Sequence, residues 1–202
     1  MIVQSVSLYD QAPGTSMPYA RTLMLVGQTG QGVTLMSDLL AEAVQLSGWK
    51  TRTQERFAAC KKAGEVCSLL QLSSSGQFSA VAELSCDLIL SWSAPSLVAQ
   101  LQHLHPTGRA LAWDAETRLA TDSRLIFLSP TDCPPLLAAC TKPIVLLGAA
   151  SRLLPVEPLF WHEAFARHLP SKYQREAVQA FEWGCRLAPQ LGNARQLASL
   201  PA

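Results

Sequence analysis

The stretch "RTLMLVGQTGQGVTLMSDLLAEAVQLSGW", Arg21 to Trp49, constrains the fold more than any other part of the chain. An apolar run ends at Gly27, two more glycines follow at 30 and 32, and a long amphipathic segment begins at once. A short apolar run bounded by turn residues is the pattern of a buried strand. From Gly32 onward Val33, Met36, Leu40, Ala43 and Val44 recur at helical spacing, and Gly48 supplies a stop. A strand, a glycine-rich turn and a helix in that order form an anion site. The first turn of a helix has N–H groups without intrahelical partners, and its dipole favours negative charge. Gly27, Gly30 and Gly32 let the backbone approach a phosphate, and Thr29 and Gln31 add side-chain donors.

The spacing G-x-x-G-x-G matches neither common nucleotide fingerprint. Gly27 and Gly32 have the separation of a Walker loop, but Val33 stands where its lysine belongs. Without that cation nothing neutralises the terminal phosphates of a nucleoside triphosphate. Thr29 occupies the second glycine of the dinucleotide pattern, and Glu55 lies only loosely where a ribose-binding acid is expected. Two readings stand at this point: the glycines hold an anion, or they serve a tight turn and close packing alone.

Further along, "KTRTQERF" (50–57) alternates as a strand and "EVCSLLQLS" (65–73) reads as another, with "AACKKAG" between them as a loop. "CDLILSWS" (86–93) is a short apolar strand, and "APSLVAQLQHL" a helix stopped near "HPTG". Strands follow over 108–114 and 124–130. After Pro135 the pattern is helical in three segments, ending in "KYQREAVQAFEWGCRLA". Strands alternating with helices predict a three-layer α/β fold: a mainly parallel sheet, helices on both faces, and a helical C-terminal portion. The expected organisation is an N-terminal extension over 1–20, one domain over 21–188, and a tail over 189–202.

Bulk composition excludes several classes. Net charge is +1, and no basic stripe with interleaved aromatics argues for nucleic acid. No uninterrupted apolar stretch reaches membrane-spanning length, and the N-terminus lacks the pattern of a secretory signal. A cytoplasmic location is expected. The six cysteines include no C-x-x-C pair, so no zinc knuckle or ferredoxin-type cluster is written here, and free buried thiols are expected. Charged residues are 15% of the chain against 49% hydrophobic. So little charge points to a surface covered by another chain. In isolation, a homodimer could cover the same surface.

Other candidates read as structural. His162 and His168 fall on different faces of one helix, and His103 and His105 flank a helix end. Trp161 and Trp183 fit helix packing or, alternatively, mark a subunit contact. Lys61 and Lys62 are either a solvated pair or a phosphate contact beside the loop. No Ser/His/Asp or Cys/His arrangement emerges from spacing, so no catalytic residue is assigned.

Taken together, these residues resemble the gamma-type domain of 2-oxoacid:ferredoxin (acceptor) oxidoreductases, the pyruvate and indolepyruvate oxidoreductase family. "LVGQTGQG" is similar to that domain's strand and G-x-G-G-Q-G loop. Glu55 stands where its acidic residue is expected, and Lys62-Ala63-Gly64 replaces its Arg-Gly-Gly. "CDLILSW", "HPTGRALAWD", "KPIVLLGAASRLL" and "QREAVQAFEWG" resemble later motifs in the same order, so the resemblance spans roughly 21–186.

The resemblance implies a subunit that is inactive alone. Its partner subunits would carry thiamine diphosphate and iron–sulfur clusters, decarboxylate a 2-oxoacid oxidatively and pass electrons to ferredoxin. Coenzyme A is the phosphate-bearing ligand implied for the loop, with Gly27, Thr29, Gly30, Gln31, Gly32, Glu55, Lys62 and Gly64 as the implied site. The alternatives are a stand-alone nucleotide- or coenzyme A-binding regulatory module, and a scaffold subunit with a degenerate site. Thr29 and Lys62 are the sharpest departures. A Cβ at 29 narrows the loop and disfavours positive φ, and lysine loses arginine's bidentate fork.

Overall fold

We describe the chain from a computed structural model over residues 20–56, 64–78, 85–113, 122–129 and 142–187. The expected extension, the tail, Lys61, Lys62 and residues 135–141 lie outside the described residues, apart from Ala20, which opens the first strand. Strand β1 (Ala20–Gln28) buries Leu23 and Leu25 on one face and Met24 and Val26 on the other. Burial on both faces puts this strand in the middle of a sheet.

The sheet has six strands in the order β2-β3-β1-β4-β5-β6. The partners of β1 are β2 (Lys50–Arg56), β3 (Glu65–Ser73), β4 (Cys86–Ser91), β5 (Leu104–Trp113) and β6 (Leu125–Leu128). β1, β4, β5 and β6 pair in parallel, while β3 is antiparallel to both β1 and β2. Five strands therefore point one way, and the expectation of a mainly parallel α/β sheet holds. β2 and β6 are the edge strands, and the exposed Lys50, Arg52 and Gln54 of β2 discourage pairing with another chain.

The two faces are covered unequally. One packs Leu23, Leu25, Leu70, Leu90 and Leu111 against α1 (Val33–Leu46), α3 (Lys142–Ser151), α4 (Pro158–His168) and α5 (Ser171–Leu187). The other packs Met24, Val26, Leu69 and Ile89 against Leu97 of the short helix α2 (Ala94–Gln100). In α3 every residue from Pro143 to Ser151 is buried, as expected of a helix apolar all round. The helix crossing of α3 and α5 is set by two glycines. A Cβ on Gly148 would sit 2.1 Å from the Phe181 carbonyl oxygen, and one on Gly184 would sit 2.0 Å from that of Val145. The "LGA" and "AFEWG" segments, 31 or more residues apart in the chain, thus meet backbone to backbone.

Trp161, fully buried, stacks at 5.2 Å on Phe181, which confirms its packing role. One expectation fails. Cys67 is disulfide-bonded rather than a free thiol, because spacing along a chain does not report which sulfurs a fold brings together. Cys86 and Cys185 are free. A second difference is β5, which begins at Leu104 and runs through Pro106, where the sequence suggested a turn. Its register against β4 slips between Cys86 and Leu88, an irregularity that accommodates a residue without an N–H.

Candidate functional site

The glycine-rich loop lies at the C-terminal end of β1, the end at which open α/β sheets bind ligands. Gly30 and Gly32 both have positive φ, +85° and +82°, and a Cβ on either would meet only open space. Gly32 is also the N-cap of α1, and no side chain caps that helix. Thr29 has no positive φ. The residue that departs from G-x-G-G-Q-G therefore occupies a position that any side chain can adopt, and the strain expected from its Cβ does not arise.

Thr29 does have a structural job. Its N–H and its hydroxyl both donate to the Gly64 carbonyl, at 2.8 and 2.9 Å. This double contact staples the loop to the start of β3. Gln31 closes the loop from the other side. Its N–H donates to the Gln28 carbonyl at 3.0 Å, and its Oε1 accepts from the Gln28 N–H at 2.7 Å. The donors of Gln28, Thr29 and the Gln31 backbone are thus consumed internally. The N–H groups of Gly30, Gly32, Val33, Thr34 and Leu35 have no acceptor among the described residues. No acidic residue stands in the first turn of α1 to oppose an anion there.

The structure brings together Gly27, Thr29, Gly30, Gln31, Gly32 and Gly64. By its backbone, Glu55 stands one strand removed from β1. β3 lies between β2 and β1, and Glu55 pairs with Ser68, which in turn pairs with Leu25 rather than with a loop residue. Lys62 lies outside the described residues.

Beneath the loop are groups the sequence did not single out. Trp92, at the end of β4, packs under Gly27, where an added Cβ would come within 3.3 Å of its ring, and its N–H bonds to the Val26 carbonyl at 3.0 Å. Glu65, only 4% exposed, accepts from the Ser96 hydroxyl at 2.6 Å through one carboxylate oxygen. Its other oxygen and the Trp92 indole N–H are buried without a partner. A tryptophan closing a strand parallel to β1 was the available signal, because parallel neighbours end at the same edge of a sheet.

Burial and the adjacent Asp87 push the Cys86 thiol up to about 12, so it is neither a nucleophile nor a ligand at neutral pH. Among the described residues no three His, Cys, Asp or Glu side chains gather as metal ligands. No helix among them is long and apolar enough to cross a membrane.

Known structures share this architecture. The gamma subunit of a keto/oxoacid ferredoxin oxidoreductase from Geobacter sulfurreducens superposes with a TM-score of 0.70 at 18% identity, over 84% of this chain and 99% of that one. A pyruvate oxidoreductase subunit from Thermotoga maritima gives 0.60 at 15%, over 84% and 94%. The 2-oxoglutarate:ferredoxin oxidoreductase of Magnetococcus marinus, solved with 2-oxoglutarate, coenzyme A and succinyl-CoA, gives 0.67 at 15%, over 85% of this chain but only 31% of that one. At these identities the likeness establishes the fold. No curated protein matches in sequence. The pyruvate ferredoxin/flavodoxin oxidoreductase family model matches residues 22–187, from the third residue of β1 to the last of α5, and the chain belongs to that family.

Proposed function

We propose that this chain is the gamma-type, non-cluster subunit of a 2-oxoacid oxidoreductase. The observation that carries the reading is the family match over essentially the whole described fold. In this reading the oxidative decarboxylation of a pyruvate- or indolepyruvate-like acid takes place on partner subunits. Those subunits would hold thiamine diphosphate and iron–sulfur clusters and deliver electrons to ferredoxin. The assembly would be cytoplasmic, where the Cys67 disulfide faces a reducing thiol pool.

The loop's part would be to hold the diphosphate of coenzyme A. The donor set fits such an anion: five backbone N–H groups from Gly30 and Gly32 to Leu35, an uncapped helix end and open space above both glycines. Bound coenzyme A would supply the thiol that accepts the acyl group. This chain's residues would anchor the carrier, with Thr29 and Gln31 holding the loop's shape rather than touching phosphate. Gly64, whose carbonyl takes both Thr29 donors, would border that seat, while Glu55 and Lys62 belong to the site on the resemblance alone.

Affinity purification from the native host, followed by intact-complex mass spectrometry, tests the subunit reading. The expected result is co-elution with thiamine- and cluster-containing chains. Recovery of this chain alone, as a monomer or homodimer, would overturn it. Calorimetry with coenzyme A separates the loop's role. Binding by the complex that Gly32→Ala weakens at least tenfold supports it, whereas tight binding by the isolated chain would make this a stand-alone module.

A further inference from the structure

A cavity of about 330 Å³ lies away from the loop, between the α3–α4 turn, the start of α4 and the last turns of α5. Arg21 Nη1 donates to the Leu153 carbonyl at 3.5 Å, which links the α3–α4 turn to the opening of β1. The glycine-rich loop is at that strand's other end. The volume lies at the small end of ligand pockets.

The walls have two characters. Val156, Pro158 and Phe181 give an apolar side. Arg152 and Arg186 give a cationic side, opposed by the single carboxylate of Glu182. Arg152 has no ion-pair partner among the described residues. Arg186 stacks on the Trp183 ring at 5.1 Å and donates from Nε to the Glu182 carbonyl at 3.4 Å, so a ring and a backbone oxygen hold it in place of a carboxylate.

The remaining polar groups are spent or inert. The Ser151 hydroxyl donates to the Gly148 carbonyl at 2.7 Å, and the Cys185 thiol donates to the same oxygen at 3.4 Å. Burial raises the Cys185 thiol above its ordinary value, which argues against a covalent site. His162 lines the cavity edge-on to Phe181, and its Nε2 is shielded from solvent without a hydrogen-bond partner. An unpaired buried donor or acceptor is costly, and a bound polar group relieves it.

We propose that this cavity binds a small organic carboxylate. Its apolar body would lie against Phe181 and Val156, and its carboxylate would be held by Arg152 and Arg186. Two guanidinium groups against one carboxylate select an anion, and planar forks suit a carboxylate. The apolar wall selects an organic acid over inorganic phosphate. The inference does not depend on how the loop is read.

Titration of the full chain with benzoate, followed by residue-resolved amide shifts, tests it. Saturable shifts are expected at residues 151–162 and 181–186, unaffected by an equal concentration of inorganic phosphate. Arg152→Ala should raise the apparent Kd at least tenfold, and Arg175→Ala, exposed elsewhere on α5, should leave it unchanged. Val156→Phe, checked for folding by its melting curve, should abolish binding by filling the cavity. Non-saturating shifts, equal displacement by phosphate, or an unchanged Kd in Arg152→Ala would each overturn the proposal.

Discussion

The crossing of α3 and α5 allows a quantitative test. Gly148→Ala would place a Cβ 2.1 Å from the Phe181 oxygen, and Gly184→Ala would place one 2.0 Å from the Val145 oxygen and 2.8 Å from the Ala149 nitrogen. The obstructing atoms are backbone within helices, so no rotamer change relieves the contact. The two helices must part by about 1 Å, which unpacks a dense interior. Overpacking of this kind costs about 1–3 kcal/mol, with backbone clashes at the upper end. Alanine recovers about 1 kcal/mol of helix propensity over glycine. Each variant is therefore expected to lose about 2 kcal/mol. Once the helices have separated for one methyl, the second enters a gap already opened. The double variant should then lose less than the sum of the singles, by an amount on the order of 1 kcal/mol. Urea unfolding followed by tryptophan fluorescence measures this, because Trp161 stacks on Phe181 at the crossing. Gln179→Ala, exposed on α5, serves as the control and should stay within about 0.5 kcal/mol of the parent. An alanine variant as stable as the parent, or strictly additive losses, would refute the close-crossing argument.

Three further outcomes follow from other contacts. Ser37 and Ser68 share a buried hydroxyl–hydroxyl bond at 2.7 Å. Ser68→Ala should cost about 1–3 kcal/mol by stranding its partner, and Ser37→Ala/Ser68→Ala less than the two singles together, both read by urea unfolding. Thr29→Ala removes the hydroxyl bond to Gly64 but keeps the N–H bond, so amide exchange at residues 28–32 should quicken several-fold with global stability nearly unchanged. An unchanged exchange rate would remove the staple. Cys86 starts from an ordinary value of 9.0 and rises to about 12 in the fold. Below pH 9 both states keep the proton; above it only the unfolded chain loses it, so stability falls as pH rises. At pH 10 the parent should have lost about 1.4 kcal/mol more than Cys86→Ala relative to pH 8. Parallel stability curves for the two proteins would rule this out.

Much of the architecture is readable in the chain because burial pattern and element type coincide. β3 spans the predicted residues 65–73, since nine consecutive buried positions leave a central strand as the only short element that fits. The reversal of β3 is the part that periodicity does not encode. It follows from length instead. Only eight residues separate Arg56 from Glu65, too few for the crossover a parallel neighbour needs, so β2 and β3 must run antiparallel. The strand order then sets β3 between β2 and β1, so Glu55 stands one strand removed from β1 at the register of Ser68 and Leu25, a placement that spacing along the chain does not encode. Trp92 and Glu65 were missed for the complementary reason. Nothing local marks them, and only the parallel pairing of β4 with β1 and the antiparallel pairing of β3 carry them to the loop.

The loop itself shows why a changed motif need not be a lost one. Of its glycines, Gly30 and Gly32 require positive φ, and both are kept. Thr29 replaces a glycine at a position that makes no such demand, and it turns its N–H and hydroxyl to one carbonyl on the neighbouring strand. The exchange adds a hydroxyl anchor to the neighbouring strand beside the backbone N–H bond. The unpaired N–H groups run from Gly30 through the first turn of α1. Preorganised backbone donors lose little entropy on binding, and an anchor that fixes the loop keeps them so. On this argument Thr29→Gly should leave the seat's geometry intact while loosening it. Any coenzyme A affinity of the complex should then fall through faster dissociation, with the association rate unchanged. A slower association rate instead would mean that Thr29 faces the ligand.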